Sequence, residues 1–264
     1  MSIDLYQIVT FATDAFAGNP AFVLVSPSPL SQPMLQRVAG QLREPVLAAI
    51  STFGESLRLS FAGPNGSHPG AGHSAHAAAH VALSHLRPRD DRLEFTLDDD
   101  RRMVIARDEH GPAVQWPVMP YSETDQIAAV RDCIGVEPLE TYSASFGLVA
   151  VVRSSAEVAG IVTNLEAIAR LDANTLMVTA RDEGGDFAIR VFAPRIGLPE
   201  DPVCGTAHRI IVPMWSKRLG KHEMISRQLS PRGGRLFCRL GEGTVTLSGA
   251  ATPFFSGTIQ ATLA

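Results

Sequence analysis

Residues 3–9, 21–25, 57–61, 92–97 and 103–106 alternate apolar with polar positions or run apolar with β-prone side chains, and each run predicts a strand. Between them, Gln32–Leu42 places Met34, Leu35, Val38 and Leu42 at helical spacing. An alanine-rich stretch over 73–86, behind a Gly/Pro-rich loop, predicts a second helix. The second half repeats the plan: a helix near 123–133, a strand around 148–152, a helix over 156–171, and a hairpin over 176–192 turning at Gly184-Gly185. Another Pro-rich loop leads into a helix over 205–219, with a kink expected at Pro213. The Pro117/Pro120 segment divides the chain into 1–117 and 118–264, with the last strand able to pack on the first half.

Composition narrows the class. Of the 264 residues, 45% are hydrophobic and 19% charged, enough apolar surface for a packed core and too little charge for disorder. With 23 basic and 27 acidic residues intermingled, the net charge of -4 leaves no basic stripe for a phosphate backbone, which argues against nucleic acid as a partner. No run approaches the ~18 apolar residues of a membrane span, and the opening residues lack a basic segment followed by an apolar one, so a soluble, cytoplasmic protein is expected. Cys133, Cys204 and Cys238 are widely spaced with no C-x-x-C, which predicts free thiols.

The two Gly/Pro-rich loops carry the candidate chemistry. Gly72-His73-Ser74-Ala75-His76 follows one and Gly205-Thr206-Ala207-His208 the other, an echo that suggests a duplicated unit. A helix start offers unpaired N–H groups and partial positive charge, so the pair forms a candidate carboxylate site that needs no cofactor. His73 can shuttle a proton or be an ordinary capping or core histidine, and Asp201 and Thr206 can act on a ligand or simply cap. His73, His76 and His80 share a helix face, yet no H-E-x-x-H or nearby carboxylate completes a metal site, so none is assigned. Glu44 lies between a helix and the apolar run 46–50. A carboxylate partly desolvated there would suit acid/base work, whereas pairing with Arg43 would make it an ordinary solvated one.

Taken together, Phe16-Ala17-Gly18-Asn19-Pro20, Gly72-His73-Ser74 and the run from Phe192-Ala193-Pro194-Arg195 through Glu200-Asp201-Pro202-Val203-Cys204-Gly205-Thr206-Ala207-His208, extended by Pro213 and Trp215, resemble the PhzF-like family, relatives of diaminopimelate epimerase. The resemblance implies an α+β fold of two pseudo-symmetric domains, each a barrel-like, mostly antiparallel sheet around a central helix, with the active site between them. It further implies a cofactor-independent isomerase that moves a proton within a small carboxylate substrate, and a homodimer. By motif, Glu44 would transfer the proton, assisted by His73, Asp201 and Thr206. Asn19, Gly72, Ser74, Cys204 and Gly205 would bind the substrate.

Two departures bear on that reading. Epimerases of this fold oppose two cysteines, one before each helix start; here Cys204 stands in the second place but Ala71 in the first, which argues against inversion by a thiol pair. Pro45 follows Glu44 where the family carries threonine. Alternatives are therefore a Cys204-dependent dehydratase or epimerase acting on an amino acid, a catalytically silent carboxylate-binding protein, and a metal hydrolase built on the histidine stripe. Cys204 itself can equally be a small buried residue.

Overall fold

A computed structural model describes residues 3–54 and 56–260. Contacts divide the chain into two units, Met1–Gln115 with Ser248–Ala264, and Trp116–Leu247. The first runs β1 (Asp4–Thr10), β2 (Asn19–Ser26), α1 (Gln32–Leu42), β3 (Leu47–Phe53), β4 (Ser56–Gly63), β5 (Gly66–Ser67), α2 (Gly72–Val81), β6 (Arg92–Leu97), β7 (Arg102–Asp108) and β8 (Gly111–Pro117). The second begins with β9 (Tyr121–Thr124), α3 (Ile127–Ile134), β10 (Glu140–Ala144), β11 (Gly147–Val151), α4 (Ser155–Ala159) and α5 (Leu165–Arg170). It continues with β12 (Leu176–Arg181), β13 (Phe187–Ala193), β14 (Leu198–Asp201), α6 (Gly205–Leu219), β15 (Glu223–Gln228), β16 (Gly234–Leu240) and β17 (Thr244–Ser248). The last strand, β18 (Ala251–Thr258), belongs to the first unit.

Strand pairing shows that the units are copies of one plan. In the first, β1–β2 is antiparallel, β2–β3 parallel, β3–β4 and β4–β5 antiparallel, β4–β6 parallel and β6–β7 antiparallel. In the second, β10–β11, β11–β12, β12–β13, β13–β14, β13–β15 and β15–β16 pair in the same senses and order. The free side of β1 takes β18 and that of β10 takes β9, both antiparallel. Side chains keep the repeat too. His85, thirteen residues past Gly72, stacks on Tyr6 of β1 at 5.0 Å, and Arg218, thirteen past Gly205, lies over Tyr142 of β10 at 6.0 Å.

Each unit buries its own core. Leu35, Val38 and Ala39 of α1 pack on Leu24, Leu47, Ala49 and Ala62. Val130, Ile134, Val158 and Ile168 pack on Leu148, Leu176, Val178 and Phe192. Ala75, Ala77, Ala78 and Ala79 make α2 slender enough to sit against β1, β2, β3 and β18, all four fully buried.

The sequence expectations for several helices need correction. The stretch 156–171 is not one helix: Gly160 closes α4, and Asn164 caps a fresh start at α5 by accepting the Ala167 N–H. Glu123 lies in β9, so the helix expected from there begins at Ile127. Beyond Val81 the α-helix gives way to a π-helical turn, Ala82–Leu86. At Pro213, α6 continues without interruption. Proline lacks an N–H, which leaves the Arg209 carbonyl one turn back without its helical donor; that carbonyl accepts the Met119 N–H at 3.0 Å instead. The Arg209 side chain adds a bond to the Pro117 carbonyl at 2.9 Å and lies over the Trp116 ring. Among the described residues, no helix is long and apolar enough to cross a membrane.

Candidate active site

The first candidate site is built where α1 ends. Arg43 adopts a left-handed conformation (φ 54°), its N–H bonding the Gly40 carbonyl and that of Glu44 the Ala39 carbonyl at 2.9 Å. A non-glycine residue there costs on the order of 1 kcal/mol or more, so the surroundings hold it. Pro45 disfavours the helical region for the residue before it, and the helix has ended before Glu44. Two further contacts fix the segment. The buried Ser74 hydroxyl donates to the Val46 carbonyl at 2.7 Å, tying α2 to β3. Gly63 lies so close to Pro45 that a Cβ would come 2.5 Å from its carbonyl oxygen.

Glu44 is consequently 7% exposed, and burial pushes its carboxyl up to about 8. His73, in the first turn of α2, brings Nε2 to 4.0 Å from Glu44 Oε1, beyond hydrogen-bond range but close enough to share a ligand. Desolvation outweighs any help from this neighbour. Ala71 precedes α2 and offers no capping side chain, and no acidic residue occupies the first turn. Gly72 is buried at the helix start.

Asn19 is buried at the head of β2, where its carbonyl accepts the Thr10 hydroxyl at 2.9 Å. Gly18 beside it (φ 70°) can only be glycine, since a Cβ would lie 2.4 Å from the Thr10 oxygen. The histidine stripe is dispersed. His76 is fully buried, its Nε2 donating to the Gly249 carbonyl at 3.0 Å and its ring against Phe11, while His80 faces His85. Among the described residues, no three His, Cys, Asp or Glu side chains gather as a metal-ligand set.

The second candidate site is the turn entering α6. Asp201 closes β14, Cys204 occupies the cap position, Gly205 is buried and Thr206 is half-buried in the first turn. The buried Cys204 thiol lies beside the Asp201 carboxylate. Desolvation first, and that negative neighbour second, hold its pKa well above the usual thiol value. Such a thiol stays protonated and is a poor nucleophile. Side chains that the sequence reading did not single out hold the turn. Gln228 accepts the Cys204 N–H at 2.9 Å and donates to the Asp201 carbonyl at 2.7 Å. Ser230 donates to the Pro202 carbonyl at 2.7 Å, and His208 bridges the Cys204 carbonyl and the Ser226 hydroxyl at 2.7 Å each.

Duplication shows which groups are unique. His68 stands four residues before Gly72, as Asp201 stands before Gly205. It bonds through its N–H to Phe61 on β4, while Asp201 pairs with Val191 on β13. An internal alignment would have found it. Carried through the ladders from Tyr6 and Tyr142, the register matches Ala48 with Met177 and therefore Glu44 with Ala173. The Glu44 carboxylate has no counterpart at the matching position of the second unit.

The model of the family described as phenazine biosynthesis-like protein, PhzC-PhzF, matches residues 8–257. The chain belongs to the PhzF family. It is 30% identical over 260 residues to a Pseudomonas aeruginosa protein named an uncharacterized isomerase, covering 98% of this chain and 99% of that one. The crystal structure of an Enterococcus faecalis PhzF-family protein superposes with a TM-score of 0.93 at 29% identity, over 99% of this chain and all of that one. A probable proline racemase of Agrobacterium radiobacter, at 12% identity and TM-score 0.57 over 97% and 92% of the two chains, shares the fold. The α+β epimerase-like fold implied by the motifs is thus the fold of this chain.

Proposed function

We propose that this PhzF-family protein is a cofactor-independent isomerase that shifts a proton within a small carboxylate-bearing substrate, with Glu44 taking and returning the proton. Membership of the isomerase class rests on the family and on relatives named isomerases. The observation that carries the finer reading is the desolvated Glu44 carboxyl beside His73 at an uncapped helix start. With a pKa pushed to about 8, Glu44 exists in both protonation states near neutrality, as a group must that removes a proton and then delivers it.

In this reading, ionised Glu44 abstracts a C–H proton and the electron pair left on carbon spreads towards the substrate carboxylate. The α2 amide groups at Gly72 and His73 stabilise the developing negative charge. Protonated Glu44 then delivers the proton to another carbon. Because Ala173 occupies the matching position of the second unit, removal and return fall to one group, which suits a shift along the substrate better than inversion at one carbon. Asp201, Thr206 and Gly205 are assigned the assisting roles at the start of α6, and Asn19 shapes the candidate site at the start of α2. Ser74 acts through β3, and Cys204 is a donor rather than a nucleophile. A homodimer is part of the same proposal, checked by sedimentation velocity.

The test is deuterium uptake at carbon in a panel of small aromatic and amino carboxylates incubated with the enzyme in heavy water. Uptake by at least one carboxylate with the wild type, lost in Glu44→Gln and kept in Cys204→Ser, supports the reading. Binding without uptake across the panel would mark a silent binder. Uptake that survives Glu44→Gln but not Cys204→Ser would mean thiol chemistry.

A further inference from the structure

We propose that Gln228 is the positioning residue of the second helix start, holding Asp201 and Cys204 so that the Cys204 thiol, in the place where two-base enzymes of this fold carry a reacting cysteine, serves as the donor that orients the Asp201 carboxylate. The inference deepens the proposed function, since it rests on Asp201 assisting catalysis, but its geometry stands apart from turnover.

Gln228 ends β15 at 1% exposure and spends both amide atoms on a single turn. Its Oε1 takes the Cys204 N–H and its Nε2 gives a proton to the Asp201 carbonyl, so the side chain acts as a short strand paired to the turn. Neighbouring bonds fix every peptide around it. Ser230 holds Pro202, and His208 holds the Cys204 carbonyl. A carbonyl can only accept, so Nδ1 of His208 carries the proton, and Nε2 accepts from the Ser226 hydroxyl. Desolvation keeps this imidazole neutral, with its pKa down at about 4, as the arrangement demands. The backbone of Asp201 and that of Cys204 are therefore set by β15 and the residues just after it. The thiol–carboxylate contact is the consequence.

Only the second unit needs this device. Ala71 occupies the cap of α2 and has no group to aim. A cysteine without a partner in the other half, buried beside a carboxylate, has the surroundings of an orienting donor rather than of an attacking sulfur.

Cysteine labelling tests this without any substrate. All three cysteines are buried, at 2% for Cys133 and 3% for Cys204 and Cys238, so each starts slow towards iodoacetamide. In Gln228→Ala the turn loosens and the thiol leaves Asp201. Labelling of Cys204, followed by peptide mass spectrometry on the folded protein, should rise about tenfold or more while Cys133 and Cys238 stay within about twofold. Gln228→Glu keeps the volume and serves if the alanine variant does not fold. Its carboxyl can donate to the Asp201 carbonyl only when protonated, so Cys204 labelling relative to Cys238 should stay near the wild-type ratio at about pH 5 and climb towards about pH 8. Unchanged Cys204 labelling, acceleration of all three cysteines together, or a ratio in the glutamate variant that ignores pH would overturn the proposal. If no carboxylate in the panel exchanges deuterium while selective labelling is observed, the catalytic reading fails and the positioning role stands.

Discussion

Burial raises the Glu44 carboxyl to about 8 from the ordinary 4.5, and the protein loses stability by it. A carboxyl that binds its proton more tightly folded than unfolded contributes fully below pH 4.5. That contribution drains away as pH rises through about 8, above which both states are ionised. At ~1.4 kcal/mol per pH unit the whole loss is on the order of 5 kcal/mol. A glutamine at this position would resemble the protonated acid and escape the loss. Glu44→Gln is therefore expected to melt near the wild type at about pH 5 and several degrees higher at about pH 8, by scanning calorimetry, while abolishing exchange. Equal melting temperatures at both pH values would mean that the carboxyl is not desolvated. For the wild type, exchange limited by proton removal should rise with pH and level off above about 8, since the base must be ionised. Cys204 divides two mechanisms in the same way: serine keeps the donor to Asp201 and should keep exchange within about tenfold, whereas a nucleophilic thiol would lose several orders of magnitude.

At the scale of elements, the site depends on how the segment after α1 is held. Gly63→Ala would push a methyl group against the Pro45 carbonyl and displace Glu44, so it should cost about 2 kcal/mol or more and cut exchange sharply. Gly40 is its counterpart: exposed in α1 with nothing within 4 Å of a Cβ, it should gain about 0.5–1 kcal/mol as alanine with activity unchanged. Urea denaturation resolves both, and a shift of the same sign in the two would contradict the packing described. The sequence made α1, α6 and the strands β1, β2, β4, β6, β7, β11, β12 and β13 legible because apolar period and length agree there, whereas β8, β10 and β14 to β18 went unread. It misled over 156–171, where apolar spacing carries across Gly160 and only the Asn164 cap marks the break. Pro45 reads in the sequence as a departure from the family's threonine; in the fold it disfavours a helical Glu44 just past the Arg43 cap. Gln228, Ser226 and Ser230 carry no motif signal, and Ser74, though part of a motif, shows its hold on Val46 only in the fold, because their meaning lies in carbonyls and amides that only the folded chain brings to them.

Duplication is faint in the sequence, a few residues shared by two helix starts, and complete in strand pairing, because burial constrains register and alternation far more tightly than side-chain identity. The repeat also makes the two units unequal in how they are assembled. Trp116–Leu247 is continuous and supplies β9 to the edge of β10 from its own beginning. The first unit takes its matching strand from the far end of the chain: β18 pairs along the whole of β1, Gly249 satisfies His76, and Ser248 bonds Asp108 at 3.2 Å. Residues 1–115 alone would leave β1 with an open edge and the buried His76 N–H without its acceptor, at about 1–3 kcal/mol for that group before any lost packing. Fragment 116–247 should therefore unfold cooperatively by circular dichroism, whereas 1–115 should do so only once a peptide spanning 248–260 is added. Cooperative melting of 1–115 by itself would show that β18 is dispensable. A fragment 116–247 without structure would show that the duplicated unit cannot stand alone, however closely its ladder repeats the first.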